Sequence, residues 1–220
     1  MSKLIKFGED VEGYNIPVLN EREIRASAGI LFVFMFVSIL NVVYTGDFSL
    51  LKYAVTIFLA DILIRVLINP RFAPSLIIGR LMVRRQTPEY VGAQQKKFAW
   101  IIGIALATIM FVHLIVLNAA SIITGLICLI CLIFLFFESA FGICLGCLVY
   151  GWIYKEKAQY CPGEVCEVKD RQEIQKTSWS QILIVFAFIG FIVLSVSMLN
   201  DIFHIAPGDL WEIIGTKAPQ

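Results

Sequence analysis

Apolar residues in this chain come in long unbroken blocks, without the alternation or single-face periodicity of a soluble domain. The blocks run from about Ala26 to Tyr44, Leu51 to Ile68, Phe98 to Leu117, Ala119 to about Tyr154, and Ile182 to Leu199. A helix needs roughly 20 apolar residues to cross a bilayer core of about 30 Å. The pattern predicts an all-α integral membrane protein with about five transmembrane helices. The fourth block is too long for one crossing, since as one helix it would reach ~54 Å. Glu138, Ser139 and Gly142 place a break near 138–142, with a short second helix starting just before Cys-Leu-Gly-Cys.

The blocks also form a weak parallel repeat. Residues 22–75 read as a basic start, a span, a short outer turn, a span and then NPRFAPS. Residues 96–145 repeat that order about seventy residues on, ending in ESAFGICL. The first four helices are thus expected as two hairpins, each followed by an interfacial helix. After the first hairpin, Leu76, Ile77, Leu81 and Met82 set against Arg80, Arg84 and Arg85 suit a helix lying at the membrane surface. The organisation expected is a cytoplasmic N-terminal segment (1–25), a four-helix membrane domain (26–154), a cytoplasmic cysteine-containing loop (155–180), and a fifth helix with an external tail (181–220).

Composition agrees: 59% of the residues are hydrophobic and 16% charged, against roughly 45–50% and 25% in soluble domains. The polar start MSKLIKFGEDVEGYN argues against a cleaved signal peptide. Fifteen of the 18 Lys and Arg residues fall before the first block or in the 69–97 and 154–180 connections. Lys52 and Lys217 lie on the other side, and Arg65 lies inside a block. Cytoplasmic loops hold the basic excess, so the N-terminus is expected inside and the tail with Asp201, Asp209 and Glu212 outside. The lipid bilayer is the evident partner, and a net charge of +1 argues against nucleic acid.

Candidate chemistry lies in the cysteines. All six come in close pairs, Cys128/Cys131, Cys144/Cys147 and Cys161/Cys166. A thiolate is both a soft metal ligand and a sulfur nucleophile. The reducing cytosol disfavours static disulfides and favours catalysis, metal binding or sensing. Cys128 and Cys131 sit mid-block on one helix face and read as packing residues. Cys144 and Cys147 fall at the expected start of a short helix, where the dipole favours a thiolate. The Pro162-Gly163 turn brings Cys161 and Cys166 together in a polar loop, where burial does not explain them. Cys144, Cys147, Cys161 and Cys166 are therefore the candidate catalytic set, expected to meet at the cytoplasmic face. As an alternative, the same four thiolates would hold zinc or copper.

Among ionisable residues, Asp61 and Arg65 are spaced for a same-face ion pair, with Arg65 near enough to the cytoplasmic end to snorkel; they read as a structural clamp ahead of a proton or ion transport site. Glu138, inside the fourth block, is a candidate proton or ion group. His113 stands alone in its block, far from His204, which argues against a bis-histidine haem.

The string FFESAFGICLGCLVYGWIY (136–154), the NPRF step at 69–72 and the KKFAW start at 96–100 together resemble a family of small bacterial membrane proteins, domain of unknown function 4395. The likeness covers roughly residues 20–154, with FGxCLGC its most specific piece. It implies no activity of its own. It implies a bacterial inner-membrane location and, by association, a thiol or sulfur role beside a soluble sulfurtransferase or thioredoxin-like partner. Leu148 departs from the polar or acidic residue expected there, which weakens a proton relay at that position. The CPGEVC stretch and the fifth span look like additions.

Three function classes follow: a protein handling thiols or sulfur species, a soft-metal binding or transport protein, and a non-catalytic subunit of a membrane complex. The first would work by thiol–disulfide exchange, persulfide transfer or passage of a small sulfur compound.

Overall fold

The computed structural model describes residues 7–154 and 176–209. It is built from α1 (Glu21–Thr45), α2 (Ser49–Leu63), α3 (Pro74–Val83), α4 (Ala93–Phe111), α5 (Ile122–Phe136), α6 (Leu145–Tyr154) and α7 (Trp179–Phe203). The strands are short: β1 (Val18–Asn20), β2 (Tyr90–Gly92), β3 (Ala119–Ala120) and β4 (Gly208–Asp209). Three helices widen into a π-helical turn at their C-terminal ends, α2 at Ile64–Ile68, α4 at Val112–Val116 and α5 at Phe137–Phe141.

Among the described residues, four helices are long and apolar enough to cross a membrane: α1, α4 and α5 with their π-helical turns, and α7. The fifth expected crossing, α2 with Ile64–Ile68, carries Lys52, Asp61 and Arg65. All three are buried inside the protein, so none meets the cost of a charge facing lipid. The long fourth block does break. Its π-helical turn ends at Gly142, whose left-handed backbone (φ 67°) reverses the chain before α6, a conformation glycine adopts at little cost.

Helix starts follow their caps more than the apolar blocks. α1 begins at Glu21, ahead of the apolar run, because Asn20 Oδ1 accepts from the Arg22 N–H at 3.2 Å. α7 begins with a reciprocal box in which Ser178 Oγ accepts from Gln181 N–H and Gln181 Oε1 accepts from Ser178 N–H. The buried Gln181 amide also donates to the Arg71 carbonyl at 3.0 Å, fastening α7 to the connection before α3. Before α2, Asp47 accepts from the Ser49 N–H (2.9 Å) and hydroxyl (2.7 Å). Those donors hold its carboxyl below the usual range.

The repeat is visible in three dimensions. Each half is a long helix, a second helix ending in a π-helical turn, and a short helix folded back on the first: α3 on α1, and α6 on α4. Antiparallel pairing of β1 with β2, Val18 opposite Gly92 and Asn20 opposite Tyr90, sets the starts of α1 and α4 side by side. At the far end Lys52 Nζ donates to Asn118 Oδ1 (2.7 Å) and the Ile205 carbonyl (2.6 Å). There β3 pairs in parallel with β4, Ala119 opposite Gly208. Met35, Val55, Ile62, Leu76 and Met110 belong to the core between the helices.

Two expectations are corrected. Arg80, assigned to a polar surface of α3, is 4% exposed and pairs with Glu23 at 3.0 Å, while Leu81 and Met82 lie on the outside. A carboxylate in the first turn of α1 draws Arg80 onto the packed face. Arg65 does not snorkel: Asp61, Ser27 and Ser75 satisfy it within the protein.

Candidate functional site

Two buried polar networks flank the space between the repeats. The first is a closed clamp. Arg65 Nε donates to Asp61 Oδ2 at 2.8 Å, and its Nη2 reaches Ser27 and Ser75 Oγ, each at 2.6 Å. Ser75 donates its N–H to Asp61 Oδ1 at 2.9 Å and its hydroxyl to Oδ2 at 2.5 Å. The clamp joins α1, α2 with its π-helical end, and α3. The Arg65 guanidinium lies over Trp100 of α4 at 5.3 Å.

The second network is open. Pairing of β1 with β2 brings Glu21, first residue of α1, against Lys96 in the first turn of α4. The Lys96 ammonium stands 2.8 Å from Glu21 Oε2 and 2.5 Å from Glu138 Oε1. Glu138 reaches it from the π-helical turn after α5, a type of distortion frequent at functional sites. Arg25 of α1 holds that turn by donating to the Ala140 carbonyl at 3.3 Å. Two carboxylates share one ammonium, and the Arg25 guanidinium acts on Glu21 as a second positive charge. Glu21 Oε2 is an ion-pair partner by distance but lies off the hydrogen-bonding direction, and among the described residues Oε1 receives no hydrogen bond.

Cys144 and Cys147 sit beside this open network. Gly142 turns the chain so that Cys144 immediately precedes α6 and Cys147 lies in its first turn, its N–H donating to the Cys144 carbonyl at 2.9 Å. The two thiols are free and partly buried, and each is close enough to act electrostatically on the other. The Lys96 ammonium is within electrostatic reach of both sulfurs. Gly146 presses α6 onto α4: a Cβ there would stand 2.5 Å from Ala99 Cβ. A cavity of about 70 Å³ lies between the networks, lined by Arg65, Trp100, Cys131, Glu138, Cys144 and Gly146 among others. It has room for a few waters or one small solute.

The structure therefore brings together Cys144, Cys147 and Glu138, and places Asp61 and Arg65 across the cavity in the separate clamp. Cys161 and Cys166 lie outside the described residues, and with them the meeting of the two cysteine pairs. Cys128 and Cys131 are buried in α5. Among the described residues no group of three or more His, Cys, Asp and Glu is placed to hold a metal ion. Sequence reasoning missed Lys96, Glu21, Ser27, Ser75 and Trp100. In the sequence Lys96 reads only as a basic residue setting topology, and nothing local marks Glu21 as its partner.

A family model described as Domain of unknown function (DUF4395) matches residues 19–155. The chain belongs to this family. The DUF4395 match starts within β1 and ends just past α6, so it takes in both repeats, both buried networks and the Cys144/Cys147 pair. It stops before Cys161, Cys166 and α7. None of the curated proteins and none of the solved structures matches the chain.

Proposed function

We propose that this DUF4395 protein is a bacterial inner-membrane thiol protein, with its N-terminus inside and C-terminus outside, whose Cys144/Cys147 pair exchanges with a disulfide or persulfide presented from the cytoplasm. The observation that carries this reading is the pair itself: two free, neighbouring thiols at the start of α6, beside the Lys96 ammonium, with Cys144 lining a small cavity. The Cys147 contact and burial push the Cys144 thiol up, and the Lys96 ammonium and the helix start oppose that shift.

In the exchange, one thiolate attacks a sulfur of the incoming disulfide, and that S–S bond breaks as the partner's other sulfur leaves as a thiolate. The second cysteine then attacks the mixed disulfide and frees the partner. The pair ends as an intramolecular disulfide, and two electrons and two protons have passed to the partner as two thiols. The Glu21–Lys96–Glu138 cluster is suited to hold a proton during this transfer. Cys161 and Cys166, separated from Cys147 by 13 intervening residues at the nearer end, are the second pair to which oxidation would be relayed. A soluble sulfurtransferase or thioredoxin-like protein is the fitting partner class.

Single variants test the reading. Cys144→Ser and Cys147→Ser, each treated with glutathione disulfide, should leave at least one remaining cysteine carrying a stable glutathione adduct, which the unmodified pair resolves. No adduct on either variant contradicts exchange. Stoichiometric zinc or copper on anaerobically purified protein, lost with the same substitutions, would replace it with the soft-metal reading.

A further inference from the structure

We propose that Met110, Cys128 and Cys131 form a buried binding site for a soft monovalent cation of the copper(I) class. The Cys128 thiol donates to Met110 Sδ across 3.9 Å between α5 and α4. Cys131 follows one turn along α5, its sulfur within electrostatic reach of that of Cys128. Exposures are 2% for Met110, 6% for Cys128 and 7% for Cys131, so the three sulfurs are shielded from lipid and water.

Their position separates them from ordinary core filling. Cys131 lines the inner cavity that also holds Cys144 and Glu138. Cys128 lines a second space of about 390 Å³ at the opposite end, beside Thr124 and Ser121. The second space is bounded by α1, α2 and α5, and Met110 reaches Cys128 from the α4 side. One turn further out, the His113 ring Nδ1 stands 3.4 Å from Thr124 Oγ1. From the outer space inward, the donors met between α4, α5 and α6 are His113, Met110, Cys128, Cys131 and Cys144.

Ligand class follows from donor type, geometry and charge. Thioether and thiolate sulfur select soft ions, copper(I) above all. With metal–sulfur bonds of about 2.3 Å, two sulfurs at about 120° stand ~4.0 Å apart, close to the separation already present. The ion would take the place of the Cys128 proton, which is released. One thiolate and one monovalent cation leave the site neutral, which limits the penalty of burial. Zinc needs four ligands and a second deprotonated group, and the described residues supply no such set. Simple packing accounts for two buried cysteines, and the thioether–thiol contact beside them adds a soft donor pair.

The test uses the full chain in detergent without oxygen, in a background of Cys144→Ser, Cys147→Ser, Cys161→Ser and Cys166→Ser. Copper(I) is titrated against a chromophoric copper(I) chelator. The expected result is one retained equivalent with sulfur neighbours in X-ray absorption. Adding Cys128→Ser should weaken retention at least tenfold. Met110→Leu should do the same, and as a swap of similar volume it keeps the core if Cys128→Ser fails to fold. No retained copper(I) in the background protein, or retention indifferent to Met110→Leu, overturns the site. That background removes the exchange pair, so this outcome is independent of whether Cys144 and Cys147 exchange.

Discussion

Arg65 and Glu138 hold the same place in the two repeats: each is the second residue of the π-helical turn that ends its repeat's second helix. Both line the cavity of about 70 Å³ between the two networks. Their charges are opposite, and so are their circumstances. Arg65 is neutralised one turn back by Asp61 and closed off by two serines, whereas Glu138 crosses to Lys96, which it shares with Glu21. One half carries a finished clamp, and the other a shared ammonium with two carboxylates beside two thiols.

The clamp should behave as a structural unit. Asp61→Asn or Arg65→Met alone leaves an uncompensated buried charge, a loss of about 3–5 kcal/mol. The double variant should lose much less than the sum, since no unpaired charge remains. Thermal unfolding in a fixed detergent checks this, and additive losses would mean that the pair is not coupled.

Lys96 should govern thiol reactivity. An ammonium near a sulfur, at an effective dielectric of ~20, favours the thiolate by more than about 1.4 kcal/mol, or roughly tenfold in thiolate fraction. Lys96→Met should therefore slow alkylation of Cys144 and Cys147 at least tenfold at neutral pH, while Lys96→Arg keeps most of the rate. Equal rates in both variants would remove Lys96 from the site.

Gly146 sets how α6 docks. Gly146→Ala places a methyl group against Ala99 at 2.5 Å, an overpacking loss of about 1–3 kcal/mol. Ala99→Gly in the same chain should recover only a small part, because the Ala99 Cα still stands 2.7 Å from the new methyl group. Circular-dichroism melts of the two variants decide the matter.

Much of this architecture was legible in the sequence because bilayer thickness dictates block length and Gly142 permits a sharp reversal. The break near Glu138, the two hairpins and the Asp61–Arg65 pair all follow from such local rules. The open network did not, because its members come from the starts of two distant helices, aligned by a three-residue strand pair with no periodic signature. Arg80 misled for a related reason: a basic residue on an amphipathic helix reads as surface until Glu23, far away in sequence, supplies its partner.

Orientation is tested separately. Fusions at Gly92 and Lys169 should report cytoplasm and one after Ile213 periplasm, as the basic asymmetry requires. A cytoplasmic report after Ile213 would reverse the expected placing of α7.

The central claim is that Cys144 and Cys147 form a reversible redox pair. The most direct measurement equilibrates the purified full-length protein across glutathione redox buffers, then alkylates and maps every cysteine by mass. The account predicts concerted loss of two labels, at Cys144 and Cys147, restored by a dithiol reductant, with Cys128 and Cys131 labelled throughout once the protein is denatured. Full labelling of Cys144 and Cys147 at every glutathione ratio would contradict it.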